Sequence, residues 1–130
     1  MNLEKENGTQ MNADNADSKL GLKKLLHFIE KQERVLNGRY YEDYSEREKV
    51  LERVVKINEE FGELCDEVSK SLGNQRDSKM EMKSEIEGEF ADVLICVLLL
   101  AQTMGVDVER GLREKILKIK KRFSEEWGDE

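Results

Sequence analysis

Apolar residues recur every three or four positions through most of the chain, which is the spacing produced by one face of an α-helix. The first such stretch follows a capping serine, Ser18, and precedes the helix-stop dipeptide Asn37-Gly38. Its apolar positions are Leu22, Leu25, Leu26, Ile29 and Leu36. This pattern predicts a first helix that ends at the dipeptide and leads into the tyrosine-rich link "NGRYYEDYS".

Three further helices follow from the same periodicity. The second runs from Glu46 to about Leu72, with Ser45 as its N-cap and Gly73-Asn74 as its stop. The third extends from about Glu81 to Met104 and ends at Gly105, and the fourth begins after the cap Asp107 with "VERGLREKILKIKKRF". No stretch shows the alternation typical of a strand, so the chain is predicted to be all-α.

The third predicted helix contains nine consecutive apolar residues, Val93 to Ala101. We expect one core face formed by Val93, Leu94, Val97, Leu98 and Ala101. The remaining sides then carry Ile95, Cys96, Leu99 and Leu100. A chain of 130 residues has little other structure to cover such a helix. The pattern therefore predicts a homodimer or homotetramer with this helix at its centre.

Composition and charge narrow the class of protein. The chain has no proline, and 39% of its residues are charged. Its net charge of −7 argues against binding to a nucleic-acid duplex. A helix needs about 20 apolar residues to span a bilayer, so the apolar run is too short to do so. Residues 1–18 are polar and lack the apolar stretch of a signal peptide, so we expect a disordered tail before a domain at residues 19–126. Cys65 and Cys96 are expected to be buried, reduced thiols of a cytoplasmic protein.

Two pairs of carboxylates stand on successive helices. The second helix contains Glu60-x-x-Glu63, and the third contains Glu89-x-x-Asp92 immediately before the apolar run. Residues three apart share one helical face, and a short link favours antiparallel packing of the two helices. The four carboxylates are therefore expected to converge. Their repulsion calls for a cation, and hard oxygen ligands favour Mg²⁺, with Mn²⁺ as the alternative.

The acidic pairs are also compatible with proteins that are not metal-dependent hydrolases. Glutamates three apart on a charged helix are often only a solvated face. A non-catalytic helical dimerisation module would carry them as a vestigial cluster, and metal binding would distinguish it from an enzyme. A di-iron four-helix protein is disfavoured because its Glu-x-x-His pairs are absent here.

The motifs resemble those of the MazG-like, all-α nucleoside triphosphate pyrophosphohydrolases, whose pattern is EExxE on one helix and ExxD on the next. The matching segments are Glu59-Glu60-Phe61-Gly62-Glu63 and Glu89-Phe90-Ala91-Asp92. The likeness covers about residues 19–123. It implies a four-helix bundle completed by homo-oligomerisation. Dimeric dUTPase-like and phosphoribosyl-ATP-cleaving relatives share the carboxylate motif, so the motif alone does not distinguish them.

The resemblance also implies an activity, which is cleavage of a nucleoside triphosphate to a monophosphate and pyrophosphate in nucleotide-pool housecleaning. Its metal ligands would be Glu60, Glu63, Glu89 and Asp92, holding Mg²⁺. Glu59, immediately before the first ligand, would orient the attacking water.

The fourth helix supplies the expected phosphate contacts. Lys115, Lys118 and Arg122 lie at turn-compatible spacing, although a basic last turn also complements a helix C-terminus. The resemblance favours Lys115 and Arg122, because relatives often carry K…N..R in this helix. This chain has Ile119 where that arrangement places Asn, and its tyrosine-rich link lacks the W..FHTP pattern of the deoxycytidine-type relatives. The sequence therefore does not fix the base.

Overall fold

The computed structural model describes the backbone of residues 19–73 and 79–129, and the side chains of residues 19–73 and 85–129. Five helices and no strand occur in these parts of the chain, which confirms the all-α prediction. The helices are α1 (Leu22–Tyr40), α2 (Glu46–Leu72), α3 (Lys79–Thr103), α4 (Val108–Arg122) and the short α5 (Ser124–Trp127). The expected tail and the Ser18 cap lie outside the described residues, and the domain limits 19–126 stay a prediction.

The end of α1 differs from the prediction. The helix does not stop at Asn37-Gly38 but continues to Tyr40, and the Tyr41 N–H donates to the Asn37 carbonyl at 3.2 Å. A glycine inside a helix costs only about 1 kcal/mol, which tertiary contacts readily offset. One such contact is present, because the Asn37 side chain accepts a hydrogen bond from Arg53 on α2 at 3.4 Å.

The predicted caps of the other helices are confirmed. Ser45 forms a capping box with Glu48, in which the Glu48 N–H donates to Ser45 Oγ at 3.2 Å. At the other end α2 stops at Gly73, as expected. Asp107 caps α4 by accepting from the Arg110 N–H at 3.0 Å. The chain turns into this cap through Gly105, whose φ of 67° is in the left-handed region that favours glycine.

The core is built by packing α3 against both α2 and α1. Arg53, near the start of α2, bonds Thr103 at the end of α3. Farther along α2, the Glu60 carboxylate lies beside that of Glu89, near the start of the described side chains of α3. The two helices therefore run antiparallel, as predicted. Three apolar side chains, one from each helix, are buried among the described residues: Ile29, Leu64 and Leu99.

The prediction for the faces of α3 was wrong. Leu99 was assigned to the outer sides, yet it is 6% exposed and belongs to the core, whereas Leu94 and Val97 are 61% and 44% exposed. The inward face is the one that carries Thr103 and, one turn earlier, Leu99, because the Thr103 hydroxyl contacts Arg53 of α2. Leu94 and Val97 consequently belong to the apolar surface of α3 that α1 and α2 leave exposed.

The last long helix, α4, adds to this uncovered surface. None of its side chains is buried, and its apolar residues Leu112, Ile116 and Leu117 are 45%, 50% and 63% exposed. An amphipathic helix gains most of its stability by burying its apolar face. The apolar face of α4 is therefore left largely uncovered by the part of the chain that the structure describes.

Two further findings concern the exposure of the cysteines and the length of the apolar helices. Cys65 is exposed, so the expectation that both thiols are buried was wrong for it, while Cys96 is half-buried. Cys65 follows the buried Leu64 by one position, which turns its side chain about 100° away from the core. Across the described helices, none alone has the length and apolarity needed to cross a membrane.

The capping box gives a test of local stability. Replacing Ser45 with Ala removes the side-chain acceptor at the start of α2, and we expect the free energy of unfolding to fall by about 1 kcal/mol. Urea denaturation at fixed protein concentration measures the change. Ser69→Ala, at an exposed position inside α2, is the matched control and should leave the midpoint nearly unchanged. Equal midpoints for the two variants would contradict the capping role.

Candidate metal and nucleotide site

Three carboxylates meet where α2 and α3 pack together. Glu60 and Glu63 lie one turn apart on α2, and Glu89 faces them from α3. One oxygen from each lies within 4.8 Å of the others. The i, i+3 spacing on α2 and the antiparallel packing together produce this arrangement. The structure thus brings together three of the four ligands that the sequence predicted.

The fourth predicted ligand, Asp92, is not part of this group. It is exposed and lies one turn after Glu89 on α3. Its charge still acts on the site, because it raises the pKa of Glu89. Asp92 therefore stands at the rim of the cluster, and its role as a ligand stays a prediction.

Two buried oxygens of the cluster lack a hydrogen-bond partner among the described residues. Glu60 Oε2 and Glu89 Oε2 are buried, and neither accepts a hydrogen bond from the part of the chain that the structure describes. A buried acceptor without a donor costs about 1–3 kcal/mol, and more when it is charged. Such atoms are rare in folded proteins and call for an explanation. A cation between the carboxylates would satisfy both oxygens.

The pKa values of the carboxylates also indicate that their negative charges are poorly neutralised. Burial is the main cause that raises the pKa of Glu89, followed by the charges of Asp92 and Glu60. The pKa of Glu63 is raised chiefly by repulsion from Glu60, with a smaller contribution from Glu89. A cluster that holds protons more tightly than isolated glutamates is one in which positive charge is scarce.

Lys56 supplies part of that charge and was missed by the sequence analysis. Its Nζ lies 3.3 Å from Glu59 Oε2 and 3.3 Å from Glu60 Oε1. Both carboxylates raise the pKa of Lys56, with the hydrogen bond to Glu59 as the largest cause. Its position one turn before Glu60 was a usable signal. Glu59, the predicted water-orienting residue, is exposed and pairs with this lysine in the structure.

A small cavity adjoins the cluster at the junction of α1, α2 and α3. Its volume is about 150 Å³. The residues that line it are Leu36, Tyr41, Arg53, Lys56, Cys96 and Leu99. Burial, followed by the charge of Glu60, raises the pKa of the Cys96 thiol. A larger cavity of about 550 Å³, lined by residues such as His27 and Gln102, includes none of the carboxylates. The smaller cavity has no cluster carboxylate in its wall either, but its lining residue Lys56 contacts Glu60, so it is the cavity that adjoins the cluster.

Arg53 is the second residue that the sequence analysis missed. It is 5% exposed, and its guanidinium lies 5.2 Å from the centre of the Tyr41 ring. Positions 53, 57, 60 and 64 share one face of α2, so Arg53 lies on the same side as Glu60. An arginine among apolar positions on the face that bears the motif was the signal that could have revealed it.

The structure does not bring the basic residues of α4 to the carboxylates. Lys115, Lys118 and Arg122 are all exposed. Among residues 19–73 and 85–129, no ion pair joins any of them to the cluster. Their predicted contacts with phosphate therefore stay predictions.

Residues 48–127 match the family model of the MazG nucleotide pyrophosphohydrolase domain, which is 80 of the 130 residues. The chain belongs to this family. The MazG match includes both carboxylate helices and α4, whereas α1 and the tyrosine-rich link precede it. No curated protein and no solved structure matches the chain significantly.

The raised pKa values predict how stability depends on pH. In the folded chain, the pKa values of Glu63 and Glu89 are raised above the ordinary value of 4.5. In metal-free protein, their contribution to the free energy of unfolding therefore falls as pH rises above 4.5. The double variant Glu63→Gln/Glu89→Gln lacks this loss, so its stability relative to wild type should grow from acidic to neutral pH.

Thermal unfolding in the presence of a chelator across this range provides the measurement. Glu87→Gln, an exposed residue on α3, serves as the control and should give a difference that does not vary with pH. A pH-independent difference for the double variant as well would show that neither burial nor mutual repulsion raises the pKa of these two carboxylates.

Proposed function

We propose that this chain is a Mg²⁺-dependent nucleoside triphosphate pyrophosphohydrolase, which cleaves between the α and β phosphates to release a monophosphate and pyrophosphate. The observation that carries the proposal is the pair of buried, partnerless oxygens of Glu60 and Glu89, which lie beside Glu63. Membership of the MazG family supports the reaction class. The cellular role would be removal of nucleotides from the cytoplasmic pool.

The donor set fits a small, hard cation. Carboxylate oxygens are typical ligands of Mg²⁺ and Mn²⁺, and Mg²⁺ commonly joins a few carboxylates to substrate phosphates. When bound, the ion neutralises the phosphates and lowers the pKa of a coordinated water. Glu60, Glu63 and Glu89 would hold it from inside the cluster, and Asp92 would hold it from the rim.

The remaining polar groups would act on the substrate. Glu59 is exposed next to the cluster, where its carboxylate can accept a hydrogen bond from a water and orient it. Lys56 holds one oxygen of Glu60 and so directs the other toward the site. Lys115, Lys118 and Arg122 would contact the phosphates from α4, and a second subunit is one route by which that helix reaches the carboxylates.

The oligomer belongs to the same proposal. Leu94 and Val97 on α3 are exposed, and so are the apolar residues Leu112, Ile116 and Leu117 on α4. Burying large apolar side chains contributes about 1.5–3 kcal/mol each before the entropic cost of association. A homodimer, or a tetramer built from it, would cover both surfaces.

A non-catalytic dimerisation module is the second candidate. The exposed apolar surfaces of α3 and α4 favour it as much as they favour a dimeric enzyme. It does not account for the partnerless buried oxygens, however, and it requires no metal. Metal binding measured by calorimetry separates the two candidates.

The reaction itself can be tested through its products. With Mg²⁺, purified protein should convert nucleoside triphosphates to monophosphate and pyrophosphate, as identified by chromatography. Glu60→Gln and Glu89→Gln each remove a ligand charge with little change in volume, and should lower turnover by on the order of 10²–10³. Asp92→Asn tests the ligand at the rim. Glu87→Gln is the control and should retain activity.

A diphosphate product would point to an ordinary phosphatase and overturn the proposed cleavage site. Full activity of Glu60→Gln would remove the carboxylate cluster from the mechanism.

The assembly can be tested by a charge on the outer face of α3. Leu94→Glu places a carboxylate where a subunit contact would desolvate it, so we expect loss of the oligomer and reduced activity. Light scattering at low micromolar concentration measures the mass. Val35→Glu, on the exposed side of α1, is the matched control. A fully active wild-type monomer would refute the oligomer.

A further inference from the structure

We infer that the small cavity beside the carboxylates holds the base of the substrate and selects a pyrimidine, with Arg53 as the residue that recognises a base carbonyl. This inference rests on the proposed function and adds the class of substrate. Residues of α1 and of the tyrosine-rich link form part of the cavity wall, and both precede the MazG match. Leu36 and Tyr41 therefore lie outside the family match, whereas the other four lining residues, Arg53 among them, lie within it.

The charge of Arg53 is poorly satisfied where it lies. Its Nε donates to Thr103 Oγ1 and its Nη2 to Asn37 Oδ1, both at 3.4 Å, which is beyond the usual range of 2.7–3.2 Å. Both acceptors are neutral. Over the described side chains, no carboxylate lies within ion-pair distance of this guanidinium.

A buried cation needs strong acceptors, and a guanidinium has five N–H donors. The ring of Tyr41 offers one favourable contact, with its centre 5.2 Å from the guanidinium carbon. Donors remain for a further acceptor in the cavity that Arg53 lines. Because arginine only donates, the group that it recognises must present an oxygen or a bare ring nitrogen.

The size of the cavity limits the size of the ring system that can carry this acceptor atom. A volume of about 150 Å³ with mostly apolar walls is comparable to an engineered protein cavity that binds benzene. One six-membered ring fills such a space, and the two fused rings of a purine exceed it. Leu36, Cys96 and Leu99 provide the apolar contacts for the faces and edges of the ring.

The cavity lies at the right place for a base. Lys56 lines it and also contacts Glu60 of the cluster. Arg53 precedes Glu60 by two turns of α2, or about 10 Å along the helix axis. A ribose bridges the space between a base near Arg53 and a phosphate at the carboxylates. One nucleotide can therefore occupy the cavity and the metal site together.

The two constraints select among the bases in different ways. Uracil, thymine and cytosine each have one ring and at least one carbonyl oxygen. Guanine has a carbonyl but two rings, and adenine has two rings and no carbonyl. Size therefore disfavours both purines, and Arg53 stabilises a single-ring base in the cavity by donating to its carbonyl oxygen.

The decisive measurement is kcat/KM of the full-length protein with Mg²⁺ for dUTP, dCTP, dGTP and dATP. We expect the better pyrimidine to exceed dATP by at least about tenfold, with dGTP between them or equal to dATP. Arg53→Met should abolish most of that preference through a higher KM for the pyrimidine, while the product remains pyrophosphate. Arg47→Met, at an exposed position on the same helix, is the control and should keep the wild-type ratio.

A second variant tests the size limit independently of the buried charge. Leu36→Ala enlarges the cavity, so it should raise kcat/KM for the purines relative to the pyrimidines, and it serves as the test if Arg53→Met does not fold. Calorimetric titration with UMP and AMP in the absence of metal adds a readout that does not depend on catalysis. UMP should bind more tightly to the wild type.

The outcomes distinguish this inference from the proposed function. Equal hydrolysis of all four triphosphates to pyrophosphate, or a purine preference, would overturn the pyrimidine selection and leave the pyrophosphohydrolase intact. An unchanged base ratio in both folded variants would remove the cavity from recognition. Absence of pyrophosphate from every substrate would overturn the proposed function, and this inference with it.

Discussion

The packing of α2 against α3 holds three carboxylates together against their own repulsion, and the rest of the site depends on this contact. Glu60 and Glu63 are joined by one turn of α2, but Glu89 would separate from them if the two helices were free to move. They remain close because the same pair of helices buries Leu64 and Leu99. The apolar run that follows Asp92 thus fixes the position of α3, and with it the position of the Glu89 carboxylate.

The same contact sets the site's extent. Two turns before Glu60, the α2 face that bears the carboxylates also bears Arg53, which reaches across to Thr103 and Asn37. The carboxylates and the cavity are consequently two ends of one interface, one rich in negative charge and the other holding a buried positive charge. Under the proposed function, the negative end would hold a metal-bound phosphate, and the positive end would donate to an oxygen of the base.

Local signals in the sequence predicted most of the architecture. Ser45, Gly73 and Asp107 mark helix ends because capping is governed by residues within one turn. The carboxylate pairs were found because i, i+3 spacing fixes their direction on each helix. The end of α1 was missed because a contact between Asn37 and Arg53, distant in sequence, outweighs a weak local stop.

The remaining differences between the predictions and the structure come from contacts between residues that are distant in sequence. In a run of nine apolar residues no position differs enough from its neighbours to show which face is inward, so Leu99 and Leu94 were assigned to the wrong sides. Arg53 and Lys56 were passed over because their significance comes from what α1 and α3 place beside them. The apolar residues of α4 resemble those of an ordinary core helix, and only the fold shows that the described parts of the chain leave them exposed.

The contact between Lys56 and Glu60 also bears on which ion the cluster can accept. Lys56 occupies Oε1 of Glu60 and leaves Oε2 as the free oxygen, so this carboxylate can offer a metal only one atom while the pair is intact. Ca²⁺ takes six to eight oxygens and often draws two from one carboxylate, whereas Mg²⁺ accepts six at short, octahedral positions. In the proposed metal site, a lysine paired with one oxygen of Glu60 would leave the other oxygen for the ion, and single-oxygen ligation would favour Mg²⁺ over Ca²⁺.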